Sequence, residues 1–167
     1  AGNDVVQGEA GNDTYLFGRG DGQDTISYDN AASSEKYNVL RFKAGVSASD
    51  VAVTQAGSSL ILSIKGSTDK LTISHFFLGN TPRNDWNPIQ EVVFNDGTSW
   101  SMDALVAMAL AGTEGVDTFT GTNGADNLDG LGGNDHISGA EGDDALAGGS
   151  GNDYLFGNDG ADTLVGG

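Results

Sequence analysis

Five aspartates, Asp126, Asp135, Asp144, Asp153 and Asp162, recur every nine residues with glycine at fixed places around them. Gly121, Gly130, Gly139, Gly148 and Gly157 stand five residues before them; Gly124, Gly133, Gly142, Gly151 and Gly160 stand two before. Leu128, Ile137, Leu146, Leu155 and Leu164 stand two after. The unit is glycine–x–x–glycine–x–aspartate–x–aliphatic–x, opening at Gly121 and reaching Val165, with Gly166 and Gly167 starting another. Carboxylates at this spacing are hard oxygen donors, and glycine lets backbone carbonyls crowd beside them. That donor set suits a hard dication such as calcium, which takes roughly six to eight oxygens. With no cysteine and only two histidines, a thiolate or imidazole site is disfavoured.

A period of nine fits a loop of about six residues and a strand of about three, one aliphatic side chain turned inward. Such strands stack in parallel, each loop over the loop two units later. Ordering nine backbones costs more than one buried aliphatic side chain returns. Stacked carboxylates add repulsion. A bound dication turns that repulsion into ligation, so metal binding becomes folding free energy. The array is therefore expected to be unfolded or loosely collapsed without metal.

The unit resembles the calcium-binding nonapeptide of the RTX (repeats-in-toxin) family. That resemblance implies an all-β fold, a parallel β-roll with several calcium ions between successive loops on each edge. It implies sixth-place carboxylates paired two units apart: Asp126 with Asp144, Asp144 with Asp162, and Asp135 with Asp153. Carbonyls from the first four places would complete the shells, here those of Gly121, Asn123, Gly130, Gly132, Gly139, Ala140, Gly142, Gly148, Gly149, Gly151 and Gly160. Residues 2–27 repeat the unit less regularly, and Asp4, Asp13 and Asp24 take its sixth place, Asp24 after an inserted residue near Gly20. They are expected ligands as well.

Charge follows the repeats. The net charge is −17, yet residues 113–167 hold eleven acidic residues and no lysine or arginine. Residues 1–27 hold five acidic and one basic, and residues 28–112 hold eight and six. Binding to nucleic acid or to an anionic membrane is disfavoured, and no signal peptide or membrane span is legible. Because Ala1 to Asp4 read as half a unit, the chain is expected to be an internal piece of a longer parent. The organisation expected is a first repeat block at 1–27, a β-rich capping domain at 28–112 and a second block at 113–167.

In the middle the periodicity changes. Residues 39–42, 51–54, 60–64, 70–73 and 89–94 read as strands, with Leu60, Leu62 and Ile64 on the better-buried face. Gly66 to Asp69 and Asn95-Asp96-Gly97 read as turns, the second closing a hairpin, and residues 80–87 as a loop. Ser101 caps a helix over 102–111, with Met102, Leu105, Val106 and Ala109 inward and Gly112 ending it. Over residues 38–110 this order of elements, with His75-Phe76-Phe77, resembles the haemolysin-type calcium-binding protein-related domain of large RTX proteins. Its expected role is a cap that covers the open end of the roll and folds first on its own core.

Several sharper motifs have plainer explanations. Arg19-Gly20-Asp21 is an integrin-type tripeptide inside a repeat loop. Asn12-Asp13-Thr14 is a glycosylation sequon that contains an expected ligand. Asp21 to Asp24 is not an EF-hand, since its twelfth position is Ala32. His75 lacks a serine nucleophile or partner carboxylate at a matching spacing, and His136 takes an outward seventh place. Trp86, Trp100, Tyr28 and Tyr37 fit aromatic packing in a small β domain, and no isolated carboxylate pair outside the repeats supports an enzyme. The expectation is a calcium-binding module of a large bacterial protein, secreted or on the cell surface, exported by a type I secretion apparatus. An adhesin- or lectin-like module using the middle domain, with calcium as scaffold, is the alternative.

Overall fold

A computed structural model describes residues 2–28 and 36–167; Ala1, in the opening half-unit, and Ala32, at the rejected EF-hand position, lie outside them. The chain is mostly β and divides into two compact units, Ala1–Leu78 with Pro82–Ala109, and Gly79–Thr81 with Leu110–Gly167.

Unit 1 begins with β1 (Val5–Val6), β2 (Thr14–Phe17), β3 (Gln23–Ile26) and β4 (Val39–Phe42). There follow β5 (Val51–Ala56), β6 (Ser59–Ile64), β7 (Lys70–Ile73), β8 (Glu91–Val93) and β9 (Ser99–Ser101). Two mixed sheets result, β1-β3-β7-β6-β5 and β2-β4-β8-β9. The first members of each pair in parallel and the last in antiparallel hairpins. Strands of the amino-terminal repeats thus share both sheets with strands of the middle segment. Phe17 and Ile26 from the repeats join Leu40, Leu62, Phe76 and Phe94 in one buried cluster. The alternation in β6 places Leu60, Leu62 and Ile64 in that core.

The Asn95-Asp96-Gly97 turn joins β8 to β9, with Asp96 Oδ1 accepting from the Thr98 N–H (2.9 Å) and Gly97 at φ +90°. Ser101 Oγ accepts from the Ala104 N–H (3.3 Å) at the start of α1 (Met102–Ala109). Met102, Leu105 and Ala109 are its buried side chains. The helix stops at Ala109 rather than at residue 111, because the chain is already entering a repeat loop: Thr113 bridges to Leu131 in parallel.

Unit 2 holds β10 (Thr118–Thr120), β11 (Asn127–Asp129), β12 (His136–Glu141), β13 (Ala145–Ala147), β14 (Tyr154–Asp159) and β15 (Thr163–Val165). They form two three-stranded parallel sheets, β10-β12-β14 and β11-β13-β15. Every pairing joins residues two units apart, as in Phe119 with Ile137 and Leu128 with Leu146. The eighth-place side chains Phe119, Leu128, Ile137 and Leu146 are buried, whereas Leu164 is 45% exposed. The register also shows a unit that the sequence reading missed: Gly112, Gly115, Asp117 and Phe119 hold the first, fourth, sixth and eighth places, so the array starts one unit before Gly121.

Stacking depends on the fourth-place glycines. Gly142 sits at φ +119°, and a Cβ built there would lie 2.7 Å from the carbonyl oxygen of Gly124. Gly124 itself has open space around it, with Thr122 Oγ1 at 3.7 Å as the nearest atom. Gly142→Ala is expected to destabilise the calcium-loaded protein by about 2 kcal/mol. Gly124→Ala should stay within about 0.5 kcal/mol of wild type. Thermal unfolding of both variants in calcium checks the contrast.

Candidate metal centre

The sixth-place aspartates form a ladder. The backbone N–H of Asp117 donates to Asp135 Oδ1 (2.9 Å), and that of Asp126 to Asp144 Oδ1 (2.8 Å). Asp135 and Asp144 donate in turn to Asp153 Oδ1 and Asp162 Oδ1, both at 3.0 Å. One carboxylate oxygen of each pair is therefore spent on the backbone two units earlier. This joins Asp126 with Asp144, Asp144 with Asp162, and Asp135 with Asp153, and adds Asp117 with Asp135.

The other oxygen is left over. Asp135 and Asp144 are 1% and 3% exposed. Their Oδ2 atoms, with that of Asp153, are buried and have no hydrogen-bond partner. These oxygens meet carbonyls across bare glycine. A Cβ on Gly130 would collide with Asp135 Oδ2 and lie 2.6 Å from the Gly148 carbonyl oxygen. Gly139 stands likewise between Asp144 Oδ2 and the Gly157 carbonyl, and Gly148 between Asp153 Oδ2 and the Gly166 carbonyl. At Gly121 the same place is flanked by Asp126 Oδ2 and the Gly139 carbonyl, but Thr122 already donates to that carboxylate from N–H (2.7 Å) and Oγ1 (3.0 Å).

A buried anionic oxygen without a donor is costly, and unit 2 holds no lysine or arginine to answer it. Among the described residues no three His, Cys, Asp or Glu side chains gather at one point. A cation here would thus need backbone carbonyls beside the aspartates, the oxygen-only set a hard dication takes. The fourth-place carbonyls of Gly133 and Gly142 face the α-carbons of Gly151 and Gly160. Gly149 lies against the Leu131 carbonyl, and Gly132 is buried near Glu114 and Ser150. Ala140 is buried at φ +86°, and the Asn123 N–H donates to the Asn80 carbonyl (3.0 Å).

In unit 1 the ladder changes its chemistry. Asp4 donates from its N–H to Asp24 Oδ1 (2.9 Å), so pairing survives the inserted residue near Gly20. The Asp13 N–H donates instead to Asn38 Oδ1 (2.7 Å), and the Asn38 N–H to Gln90 Oε1 (2.7 Å). Sequence reasoning missed Asp117, Asn38 and Gln90. Asp117 had a signal, the glycines in register before it, obscured by phenylalanine at the eighth place. Asn38 and Gln90 had none, being 25 and 52 residues from the residues they bond.

The sharper motifs are absorbed by the fold. Asp21 is held by Lys43 (2.8 Å) and by the Gly18 N–H (2.8 Å), and Asn12 Oδ1 accepts from the Tyr37 N–H (2.8 Å). The His75 ring lies 4.6 Å from that of Tyr28, Trp100 packs on Phe94 at 4.6 Å, and the His136 ring lies tilted against Phe156 at 5.0 Å. Asp69 is buried and accepts from the N–H groups of Gly20 and Gly22, both at 2.9 Å; these donors, Gly20 first, hold its carboxyl below the usual range.

Glycine-spaced aspartate ladders that leave buried carboxylate oxygens facing backbone carbonyls define a calcium-binding repeat protein. Residues 1–24, 111–146 and 138–167 match the RTX calcium-binding nonapeptide repeat (4 copies), and residues 60–104 match the haemolysin-type calcium binding protein related domain. The chain belongs to the RTX calcium-binding repeat family, and its repeats bind several calcium ions per block. It is also similar to the iron-regulated protein FrpA of Neisseria meningitidis serogroup C, 34% identical over 108 residues. That match takes in 62% of this chain and spans 9% of the length of FrpA. The repeat families matched are structural and non-enzymatic, and RTX repeat proteins are typically extracellular or secreted. No helix among the described residues is long and apolar enough to cross a membrane.

Two outcomes follow. Asp144→Asn keeps an acceptor for the Asp126 N–H but removes the charge, and is expected to raise the calcium midpoint of folding about tenfold. Asp159→Asn, at an exposed third place, should leave it unchanged; titration by isothermal calorimetry compares them. Because the folded pKa of Asp69 is lowered, its ionised form stabilises unit 1 above the unfolded value. That contribution is lost as pH falls through the folded value. Asp69→Asn should thus lower the urea midpoint at neutral pH, the gap from wild type closing below about pH 4. Tryptophan fluorescence reads it.

Proposed function

We propose that this chain is a calcium-folded module of a large exported bacterial protein, and that unit 2 winds as a parallel β-roll with ions between loops stacked two units apart. The observation that carries the reading is the set of buried, donorless Oδ2 atoms of Asp135, Asp144 and Asp153. The sixth-place aspartates and the facing first- to fourth-place carbonyls would hold the ions. Calcium supplies positive charge there and no redox or proton chemistry. The chain's own residues do the rest: the Oδ1 atoms set the spacing between turns, glycine admits the carbonyls, and the eighth-place side chains close the interior.

The same balance supports a role in export. Where calcium is scarce, as in the cytosol, the carboxylate ladder of unit 2 repels itself and that unit stays unfolded, which suits its threading through a type I secretion channel. Outside the cell, affinities of about 0.1–1 mM suffice for an extracellular calcium module. Binding then supplies the folding free energy. In the parent protein the module would be structural.

Calcium titration of the chelated protein, followed by far-UV circular dichroism, tests the proposal. The expected result is a cooperative gain of strand signal at sub-millimolar to millimolar calcium, with magnesium inert. Full native strand content in chelator, unchanged by calcium, would overturn it.

A further inference from the structure

Unit 1 meets the same stacking problem with different atoms. In the rung below Asp13 the bonded side chain is the amide of Asn38, and below Asn38 it is the amide of Gln90. Each amide oxygen accepts the sixth-place backbone N–H as a carboxylate does in unit 2, at 2.7 Å in both cases. The hydrogen bond that spaces the turns is kept, and the charge that would repel its neighbour is gone. Asn38 is fully buried, where a second carboxylate beside Asp13 would need a counter-charge.

Cations on the chain itself occupy the neighbouring loops. Strands β2 and β4 are adjacent and parallel, so the loops that follow them lie side by side. Arg19, from the first loop, donates to the carbonyl oxygens of Gly45 (3.2 Å) and Lys65 (3.0 Å) and pairs with Asp50 at 3.3 Å. Lys43, from the second loop, reaches back to both carboxylate oxygens of Asp21 at 2.8 Å. The guanidinium thus gathers two loop carbonyls and a carboxylate, the same donor types that a calcium ion collects. All seven lysines and arginines of the chain lie in unit 1. The main buried apolar cluster, from Phe17 to Ala109, lies there too.

We propose that unit 1 folds without calcium, its own Arg19 and Lys43 cations and its Asn38 and Gln90 amides holding the stacked turns together, so that only unit 2 depends on calcium to fold. The proposal rests on the reading that the aspartate ladder of unit 2 folds on calcium. The Oδ2 of Asp13 is also buried without a partner, beside Gly8, and ions bound at Asp4, Asp13 and Asp24 are then an addition to unit 1 and not a condition of its folding. In chelator the chain is half folded: a finished unit 1 joined to a carboxylate-rich segment awaiting metal.

Both tryptophans, Trp86 and Trp100, belong to unit 1, so their fluorescence reports that unit within the full chain. Urea unfolding followed by tryptophan emission is compared in chelator and in about 10 mM calcium, well above the affinity of an extracellular module. Amide hydrogen exchange at Ile137 and Leu146 is measured in the same two buffers. The expected result is a cooperative tryptophan transition that persists in chelator, raised in calcium by no more than ions bound to folded unit 1 add, while the two amides lose about a hundredfold or more of protection in chelator. Asn38→Asp should lower the tryptophan midpoint in chelator and regain it in calcium. Should that variant fail to fold in either buffer, Arg19→Gln decides, with an expected equal drop of the midpoint in both.

Loss of tryptophan structure and amide protection together in chelator would overturn the proposal and leave calcium-driven folding standing. Neither signal responding to calcium would overturn both. An Arg19→Gln midpoint equal to that of wild type in both buffers would also overturn it.

Discussion

The sixth-place carboxylates of Asp135, Asp144 and Asp153 are asked to do two things at once. Oδ1 accepts a backbone N–H from two units earlier, a charge-assisted bond of about 1.5–3 kcal/mol. Oδ2 of Asp135, Asp144 and Asp153 is carried into the same buried place with no donor at all. The penalty for an uncompensated buried charge is several kcal/mol, so the second effect outweighs the first until a positive charge arrives. The glycine spacing, the two-unit register and the closeness of facing carbonyls all make room for that charge. Little else is available to hold the turns together, because each contributes one inward side chain.

The two units share one stacking bond. Both use parallel strands and both place a side-chain oxygen under the sixth-place N–H of an earlier turn. In unit 2 the side chain is always aspartate and the period is constant. In unit 1 the oxygen comes from aspartate, asparagine or glutamine, the connections are longer, and hairpins extend the sheets. Longer connections let unit 1 bury phenylalanines and a helix, which gives it an apolar core of its own. The regular nine-residue turn of unit 2 has no space for such additions. The calcium dependence proposed for unit 2 follows from its regularity: the shorter the turn, the smaller its core and the more it would lean on ligation. Since the chain spans 9% of the length of FrpA, whatever else a parent protein does is a separate matter from this scaffold.

Local chemistry was legible in the sequence. The glycine and aspartate period, the inward eighth place, the alternation of Leu60, Leu62 and Ile64, and the Asn95-Asp96-Gly97 turn are patterns within a few residues. Backbone sterics and burial act on that scale, so composition reveals them. Even the insertion near Gly20 left the pairing of Asp4 with Asp24 intact. Asp117 was missed although its glycines were in place, because phenylalanine filled a position expected to be aliphatic.

Tertiary structure alone decided which oxygen of each aspartate is spent on backbone and which is left without a partner. It also decided that Asn38 and Gln90 continue the ladder from Asp13. Their separations along the chain follow no period, and a neutral amide leaves no trace in a charge pattern. Arg19 and Lys43 were likewise ordinary loop cations until the pairing of β2 with β4 set their loops side by side. Repetition in a sequence records what each turn must supply, whereas partnership across turns depends on a register that exists only once strands have paired.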